Sequence, residues 1–316
     1  MAQRMRRRML FAGTLAAAGL ISARGAQATQ VGKVTIALVL KSLADPFTVA
    51  MANSAQNYQK HYSSQLDLTV RGTTTEADTS AQMRILDELI DARMSAIVIA
   101  PTDSKALIPV VTRAINAGII VIAIDNPFDD AAGIPVPFVG PDNRKGARIV
   151  GDYLATKLKP GDEVGIIEGI SADRNAQQRT AGYKDAMSAA GARIVAIQSG
   201  AWEYRNGNEA ASRILNAYPR LRALLCGNDN MAMGAVDAVR GARRTGSVYI
   251  TGYNDIDAIK PLLRKGLVVA TMNQFADRQA VFGVDFALKA ITENRKQREL
   301  SRFIETPLQL VTKDDR

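Results

Sequence analysis

The chain alternates short, wholly apolar runs with longer stretches in which apolar residues recur every three or four positions. The run Ile119-Ile120-Val121-Ile122-Ala123-Ile124 shows the first pattern most plainly. It is rich in β-branched residues and has no polar alternation, so it reads as a strand buried on both faces. Strands of that kind belong to parallel sheets covered by helices. The run stops abruptly at Asp125-Asn126. In open α/β sheets the carboxyl ends of strands face the ligand crevice, although an Asp-Asn pair before Pro127 also suits a plain turn.

The same two periodicities, followed along the chain, predict strands over 33–40, 66–70 and 95–100 ahead of that run. Between them fall helices over 47–62, from Asp78 or Thr79 to 92, and from Ser104 to 117. Pro46 suits a first helical turn. Asp78 or Thr79 and Ser104 suit caps, and Gly118 suits a helix end. Met83, Leu86, Leu89 and Ile90 keep helical spacing. The stretch 128–137, with two prolines, reads as a crossover, after which the pattern restarts at 138–140. Asp142 or Asn143 would cap a helix to 158. Strands at 163–168, 194–199, 221–226, 248–251 and 268–271 then alternate with helices at 175–190, 206–217, 231–240, 256–265 and 277–294, and 303–311 closes the chain. The repeated βα order with short connections predicts two parallel-sheet halves of ~100–130 residues each.

Composition narrows the picture. A chain of 316 residues with 47% hydrophobic content can bury two cores. The net charge of +9 suggests nucleic acid, but Arg4, Arg6, Arg7, Arg8 and Arg24 supply five of the 40 basic residues. The remainder carries 35 basic against 31 acidic residues and no basic block, so a nucleic-acid footprint is not expected. Residues 1–28 read as a signal peptide: Arg6-Arg7-Arg8, then an apolar stretch well short of the ~20 residues that span a bilayer, then Ala26-Gln27-Ala28 as a small-x-small cleavage site. The expected location is the periplasm. The Arg run leaves the general and the twin-arginine export routes both open, and an uncleaved anchor is the alternative to cleavage. The single Cys226 excludes an internal disulfide and sits in an apolar run. The single His61 lies at the polar end of a helix, with no local support for a metal site or a Ser-His-Asp triad. No cofactor is called for.

Polar residues collect where the strands end. Lys41 to Asp45 follow the first strand and Asp125-Asn126 the fourth. Asn228-Asp229-Asn230, Asn254-Asp255 and Asn273-Gln274 follow strands of the second half, and Arg179 lies early in a helix beyond the loop 169–174. If two sheets face each other by their carboxyl edges, these groups converge on one cleft. Asp, Asn, Gln, Lys and Arg together can both donate to and accept from sugar hydroxyls, and Phe47 and Trp202 can cover C–H faces.

These segments resemble periplasmic solute-binding proteins of the ribose-binding type, which serve ABC transporters. The likeness runs from about Lys33 to Val311. It is carried by Ile36-Ala37-Leu38-Val39 with Asp45-Pro46-Phe47, Ile99-Ala100-Pro101-Thr102-Asp103-Ser104, Val121 to Asp125, Gly151-Asp152-Tyr153, Arg179-Thr180-Ala181-Gly182-Tyr183, and Cys226 to Ala235. The resemblance implies an α/β fold of two doubly wound parallel-sheet lobes joined by a three-segment hinge, the type I periplasmic binding protein architecture. Crossovers would lie near Gly140, Gln274 and Thr306. The N-terminal lobe would comprise 33–140 plus 275–306, and the C-terminal lobe 141–274 plus 307–316. The ligand-binding set it implies is Lys41, Asp45, Phe47, Asp125, Asn126, Arg179, Trp202, Asn228, Asn254 and Gln274. Asp125 would accept a pair of hydroxyls, and Arg179 would lie near it across the cleft.

Three positions depart from the ribose pattern. Asn126 stands where an arginine is expected, Thr48 where a second aromatic is, and Asn254 where an aspartate is. They point to a different pentose, a hexose or a linear polyol rather than ribose itself. The implied role is solute capture by hinge closure, by a monomer that delivers a sugar or polyol to an ABC permease of the inner membrane, with no catalysis and no nucleic-acid partner. A chemoreceptor could be a second recipient. A LacI-type regulator shares the architecture but needs a helix-turn-helix where the leader stands. An enzyme on a doubly wound fold is the third reading, but no G-x-G-x-x-G, P-loop or G-x-S-x-G supports it.

Overall fold

The computed structural model describes residues 32–129 and 133–315. The expected signal peptide lies outside the described residues. All that follows concerns the unit Lys33–Arg316.

Among the described residues the apolar runs form twelve strands in two six-stranded sheets. In the first half, β1 (Val34–Ser42), β2 (Leu66–Thr73), β3 (Ala96–Ile99) and β4 (Ile120–Ile124) alternate with α1 (Pro46–His61), α2 (Thr79–Asp91) and α3 (Ile108–Asn116). The crossover leads to β5 (Phe138–Gly140). The second half contains α4 (Asn143–Ala155), β6 (Glu163–Glu168), α5 (Arg174–Ala189), β7 (Arg193–Ser199), α6 (Tyr204–Ala217), β8 (Leu221–Cys226), α7 (Asp229–Gly241), β9 (Tyr249–Thr251), α8 (Lys260–Arg264) and β10 (Ala270–Asn273). The chain ends in α9 (Ala276–Thr292), β11 (Phe303–Glu305) and β12 (Gln309–Thr312).

The first sheet runs β11-β5-β4-β3-β1-β2 with every pairing parallel. The second runs β12-β10-β9-β8-β6-β7 and is parallel except for β12, which pairs antiparallel with β10. The chain therefore passes between sheets three times: after β5, between β10 and α9, and between β11 and β12. The closing segment 303–311, read as one element, is two strands in different sheets, because the third crossing falls inside it. Phe275 takes φ 52° at the second crossing, a left-handed turn that starts α9.

Each sheet is buried on both faces, which is why its strands show apolar runs without alternation. Ile36, Leu38 and Leu40 of β1 face one core with Met51 of α1 and Val284 of α9. Ala37 and Val39 face another with Leu86 of α2 and Val111 of α3. In the second lobe, Val164 and Ile166 of β6 pack on Val150 of α4 and Tyr183 of α5. The caps are mostly those expected: Asp78 Oδ1 accepts from Ala81 N at 2.9 Å and Asp142 Oδ1 from Lys145 N at 3.0 Å. Ser104 is different. The helix it was expected to cap starts at Ile108, and its hydroxyl is engaged elsewhere.

Candidate functional site

The carboxyl ends of the two sheets meet around a cavity lined by twelve residues from both lobes. Its non-atom space is at most about 330 Å³. Nine of the ten residues singled out from the sequence line it: Lys41, Asp45, Phe47, Asp125, Arg179, Trp202, Asn228, Asn254 and Gln274. Thr48, Glu76 and Asn175 complete the wall.

The first lobe supplies a charged floor. Lys41, at the end of β1, is 2% exposed. Its Nζ lies 3.0 Å from Asp173 Oδ2 and 3.6 Å from Asp125 Oδ2. Burial alone would lower its pKa, but Asp173, Asp125 and Glu76 together hold it above the ordinary lysine value. Lys41 is therefore a permanent cation, kept charged by the carboxylates around it. Asp45 caps α1 through Oδ1, which accepts from Phe47 N at 2.8 Å and more weakly from Thr48 N at 3.4 Å. Its other oxygen accepts from Asn230 Nδ2 of the second lobe. Burial raises the Asp45 pKa against the pull of these bonds. Glu76, in the loop after β2, accepts from Ser42 N at 3.2 Å. Burial, with Asp45 and Asp125 nearby, pushes its pKa up to about 8, although Lys41 pulls the other way. Burial thus favours its protonated form, which can donate a hydrogen bond.

The second lobe supplies an aromatic and amide wall. Arg179 is held on three sides: Nε donates to Asn143 Oδ1 at 2.8 Å, Nη1 to Gly227 O at 2.9 Å and Nη2 to Gln274 Oε1 at 3.2 Å. Its guanidinium carbon lies 3.9 Å from the Tyr253 ring centre and 5.4 Å from that of Trp202. Its buried charge is thus met by neutral acceptors and rings. Three of its five N–H donors serve these bonds, leaving others for a ligand. Trp202 is fixed by Nε1 donating to Asp173 Oδ2 at 2.8 Å. Gly169 makes room for the indole: a Cβ there would lie 2.0 Å from the ring. Asn228 caps α7 by accepting from Met231 N at 2.9 Å and donates to Trp202 O at 2.9 Å. Gln274 Nε2 donates to Asn254 Oδ1 at 2.8 Å.

Three of these wall residues have left-handed backbone: Asp125 at φ 58°, Trp202 at φ 68° and Asn254 at φ 123°. Such conformations cost non-glycine residues of order 1 kcal/mol or more. Here they turn the chain sharply at strand ends and aim side chains into the cavity. The turn at Asp125 also separates it from its neighbour. Asn126 does not line the cavity. Its amide is spent on Pro101 O, Ser104 Oγ and Asn175 N.

The profile of the periplasmic binding protein domain family matches residues 36–295. The chain belongs to that family. Periplasmic binding proteins similar to it include the D-ribose/D-allose-binding protein of Pseudomonas aeruginosa, 56% identical over 284 residues that cover 89% of each chain. The D-allose-binding periplasmic protein of Escherichia coli is 31% identical, with 84% of this chain and 85% of that one covered. Among crystal structures, an ABC transporter solute binding protein from Burkholderia multivorans is 58% identical with a TM-score of 0.86, covering 89% of this chain and all of that one. It carries an unknown ligand represented as alpha-D-erythrofuranose. A solute binding protein from Actinobacillus succinogenes with bound D-allose is 30% identical, with a TM-score of 0.82 and 90% and 99% coverage.

Within this periplasmic binding protein, the residues missed from the sequence sit where the missed signal lay. Glu76 follows β2 as Asp125 follows β4, but β2 carries polar residues on one face and its end did not stand out. Asp173 immediately precedes α5, and Asn175 lies in its first turn, ahead of Arg179 on the same helix. Asp173 lies behind the cavity wall, joining Lys41 to Trp202.

Proposed function

We propose that this chain is the periplasmic substrate-binding component of an ABC importer and that it holds one monosaccharide or polyol between its lobes. The observation that carries this is the cavity itself. A buried cation, three carboxyl groups, an arginine, amides and two aromatic rings converge on it from both lobes. That mixture can donate to and accept from every hydroxyl of a sugar while covering its C–H faces.

In this reading Asp125 accepts a pair of adjacent hydroxyls. Lys41 and Arg179 donate from opposite sides, and Phe47 and Trp202 sandwich the ring. Asp45, Asn228, Asn254 and Gln274 complete the polar shell. The lobes, 33–140 plus 275–306 and 141–274 plus 307–316, close about the three crossings. This is supported by the strand order of the two sheets. Ligand shifts the population to the shut form because its contacts on both lobes exist together only there. One polypeptide supplies both walls, so a monomer suffices to deliver its sugar to an inner-membrane permease. The names of the relatives support trying D-allose and D-ribose first, ribose included although Asn126, Thr48 and Asn254 depart from the ribose pattern.

A thermal-shift screen of pentoses, hexoses and polyols tests this. A ligand at a hundred times its Kd raises stability by about 2.7 kcal/mol. At least one sugar should raise Tm and change Trp202 emission. Shifts from amino acids or nucleotides alone, with none from any sugar, would refute it.

A further inference from the structure

The first turn of α5 is closed by side chains that do not belong to its own lobe. A helix cap normally comes from the residue just before the first turn. Asp173 occupies that place with extended backbone, and aspartate is a favoured cap, yet its side chain makes no capping bond. Its Oδ2 is drawn to Lys41 Nζ at 3.0 Å and Trp202 Nε1 at 2.8 Å. Its Oδ1 has no hydrogen-bond partner among the described residues. Two amides of the first turn, at its first and second positions, are met from across the cleft. Ser104 Oγ accepts from Arg174 N at 3.1 Å, and Asn126 Oδ1 accepts from Asn175 N at 3.0 Å.

The capping residues are themselves fixed by the first lobe. Asn126 Nδ2 donates to Pro101 O at 3.0 Å and to Ser104 Oγ at 3.2 Å. Both side chains are fully buried. They follow β3 and β4 of the first sheet, whereas α5 packs on the second. The same helix carries Asn175 and Arg179 to the cavity wall, which neither Ser104 nor Asn126 lines.

We propose that Ser104 and Asn126 are positioning residues for closure: they cap α5 from the opposite lobe when the lobes meet, and so set how firmly the shut form holds and where Asn175 and Arg179 stand, without touching the sugar. The proposal rests on the reading that the lobes close on a solute. The physics is local. The first amides of a helix have no partner within it and carry partial positive charge. When the lobes part, these two amides turn to water; when they meet, two side-chain oxygens replace it. Interactions present only in the shut form tighten every ligand that needs that form by the same factor, whatever its hydroxyl pattern. A residue that touches the sugar would instead change one sugar relative to another.

The test uses Ser104→Ala and Asn126→Ala, singly and together. Each single variant should weaken D-allose and D-ribose binding up to about tenfold, with the ratio of the two affinities at its wild-type value. Hydrogen exchange of the Arg174 and Asn175 amides, read by NMR, should quicken about tenfold or more in the double variant. Met231 N, capped by Asn228 within the second lobe, should be unchanged. A changed affinity ratio makes Asn126 a sugar contact and overturns the proposal, as does unaltered exchange at both amides. If the double variant does not fold, the single ones decide in the same way. The exchange comparison is made at saturating sugar. If the wild-type protein binds neither sugar, the functional reading fails, and small-angle scattering of the ligand-free proteins decides the capping: a larger radius of gyration in the double variant than in wild type supports it, and equal radii overturn it.

Discussion

Replacing Glu76 by glutamine should make the protein more stable, and increasingly so as pH rises. Glu76 is buried between Lys41, Asp45 and Asp125, with a pKa pushed up from 4.5 to about 8. A carboxyl whose folded pKa lies above its unfolded one favours folding relative to the high-pH limit only while it is protonated in both states. Its contribution is fully present below about pH 4.5 and is lost as pH rises toward 8. Over that window the unfolded chain ionises freely while the folded one cannot. Taking 1.36 kcal/mol per pKa unit, the accumulated cost is about 1 kcal/mol at pH 5 and about 4 kcal/mol at pH 8. Glutamine has the same shape, keeps the oxygen that accepts from Ser42 N, and never ionises. Apart from a pH-independent offset, the Tm of Glu76→Gln minus that of wild type should therefore grow by about 6 °C between pH 5 and pH 8, at about 2 °C per kcal/mol for a chain of this size. Asp229, which burial pushes up to about 7, adds its own pH dependence to both proteins and cancels in the difference. Calorimetric scans at matched ionic strength provide the assay. A gap that stays flat within about 1 °C, or that narrows with pH, would refute the electrostatic account of the cavity floor.

Other outcomes follow from the same geometry. Lys41→Met removes the cation that pairs with Asp173 and Asp125; it should cost about 3–5 kcal/mol near neutral pH and less as pH falls, because burial favours the protonated form of Asp173, as chemical denaturation can show. Gly169→Ala forces a Cβ into the Trp202 ring and should cost about 1–3 kcal/mol, with a shift in the emission of the only tryptophan; unchanged emission would mean that the indole does not sit where described. Cys226 is buried and its thiol pKa is pushed up by burial, so a thiol reagent should label it only after denaturation, and rapid labelling of the native protein would contradict the packing of β8.

Much of the architecture was legible because both sheets are buried on both faces, which writes each strand as an apolar run such as 119–124. The site was legible to the extent that it obeys a positional rule: Lys41, Asp125, Asn228, Asn254 and Gln274 all stand at or just beyond the carboxyl ends of strands. The rule cannot say which of two adjacent residues faces the cavity. Asp125 and Asn126 look interchangeable in sequence, but a left-handed backbone at Asp125 sends one side chain into the cavity and the other into the interlobe contact. Nor could it show that Ser104 bonds to a helix distant in sequence while α3 starts only at Ile108. Glu76 escaped because its character comes from the fold: an acid after an edge strand is pushed toward its protonated form by burial first, and then by Asp45 and Asp125 beside it.

The central claim is that one sugar sits between the lobes on the carboxylate of Asp125. Calorimetric titration of the mature wild-type protein and of Asp125→Ala with D-allose and D-ribose tests it most directly. The account predicts a single site per chain for at least one of them. It also predicts an affinity loss of about a hundredfold or more in the variant, since a carboxylate accepting two hydroxyls provides two charge-assisted hydrogen bonds of about 1.5–3 kcal/mol each. Binding of equal strength in both proteins, or of neither sugar to the wild type, would contradict it.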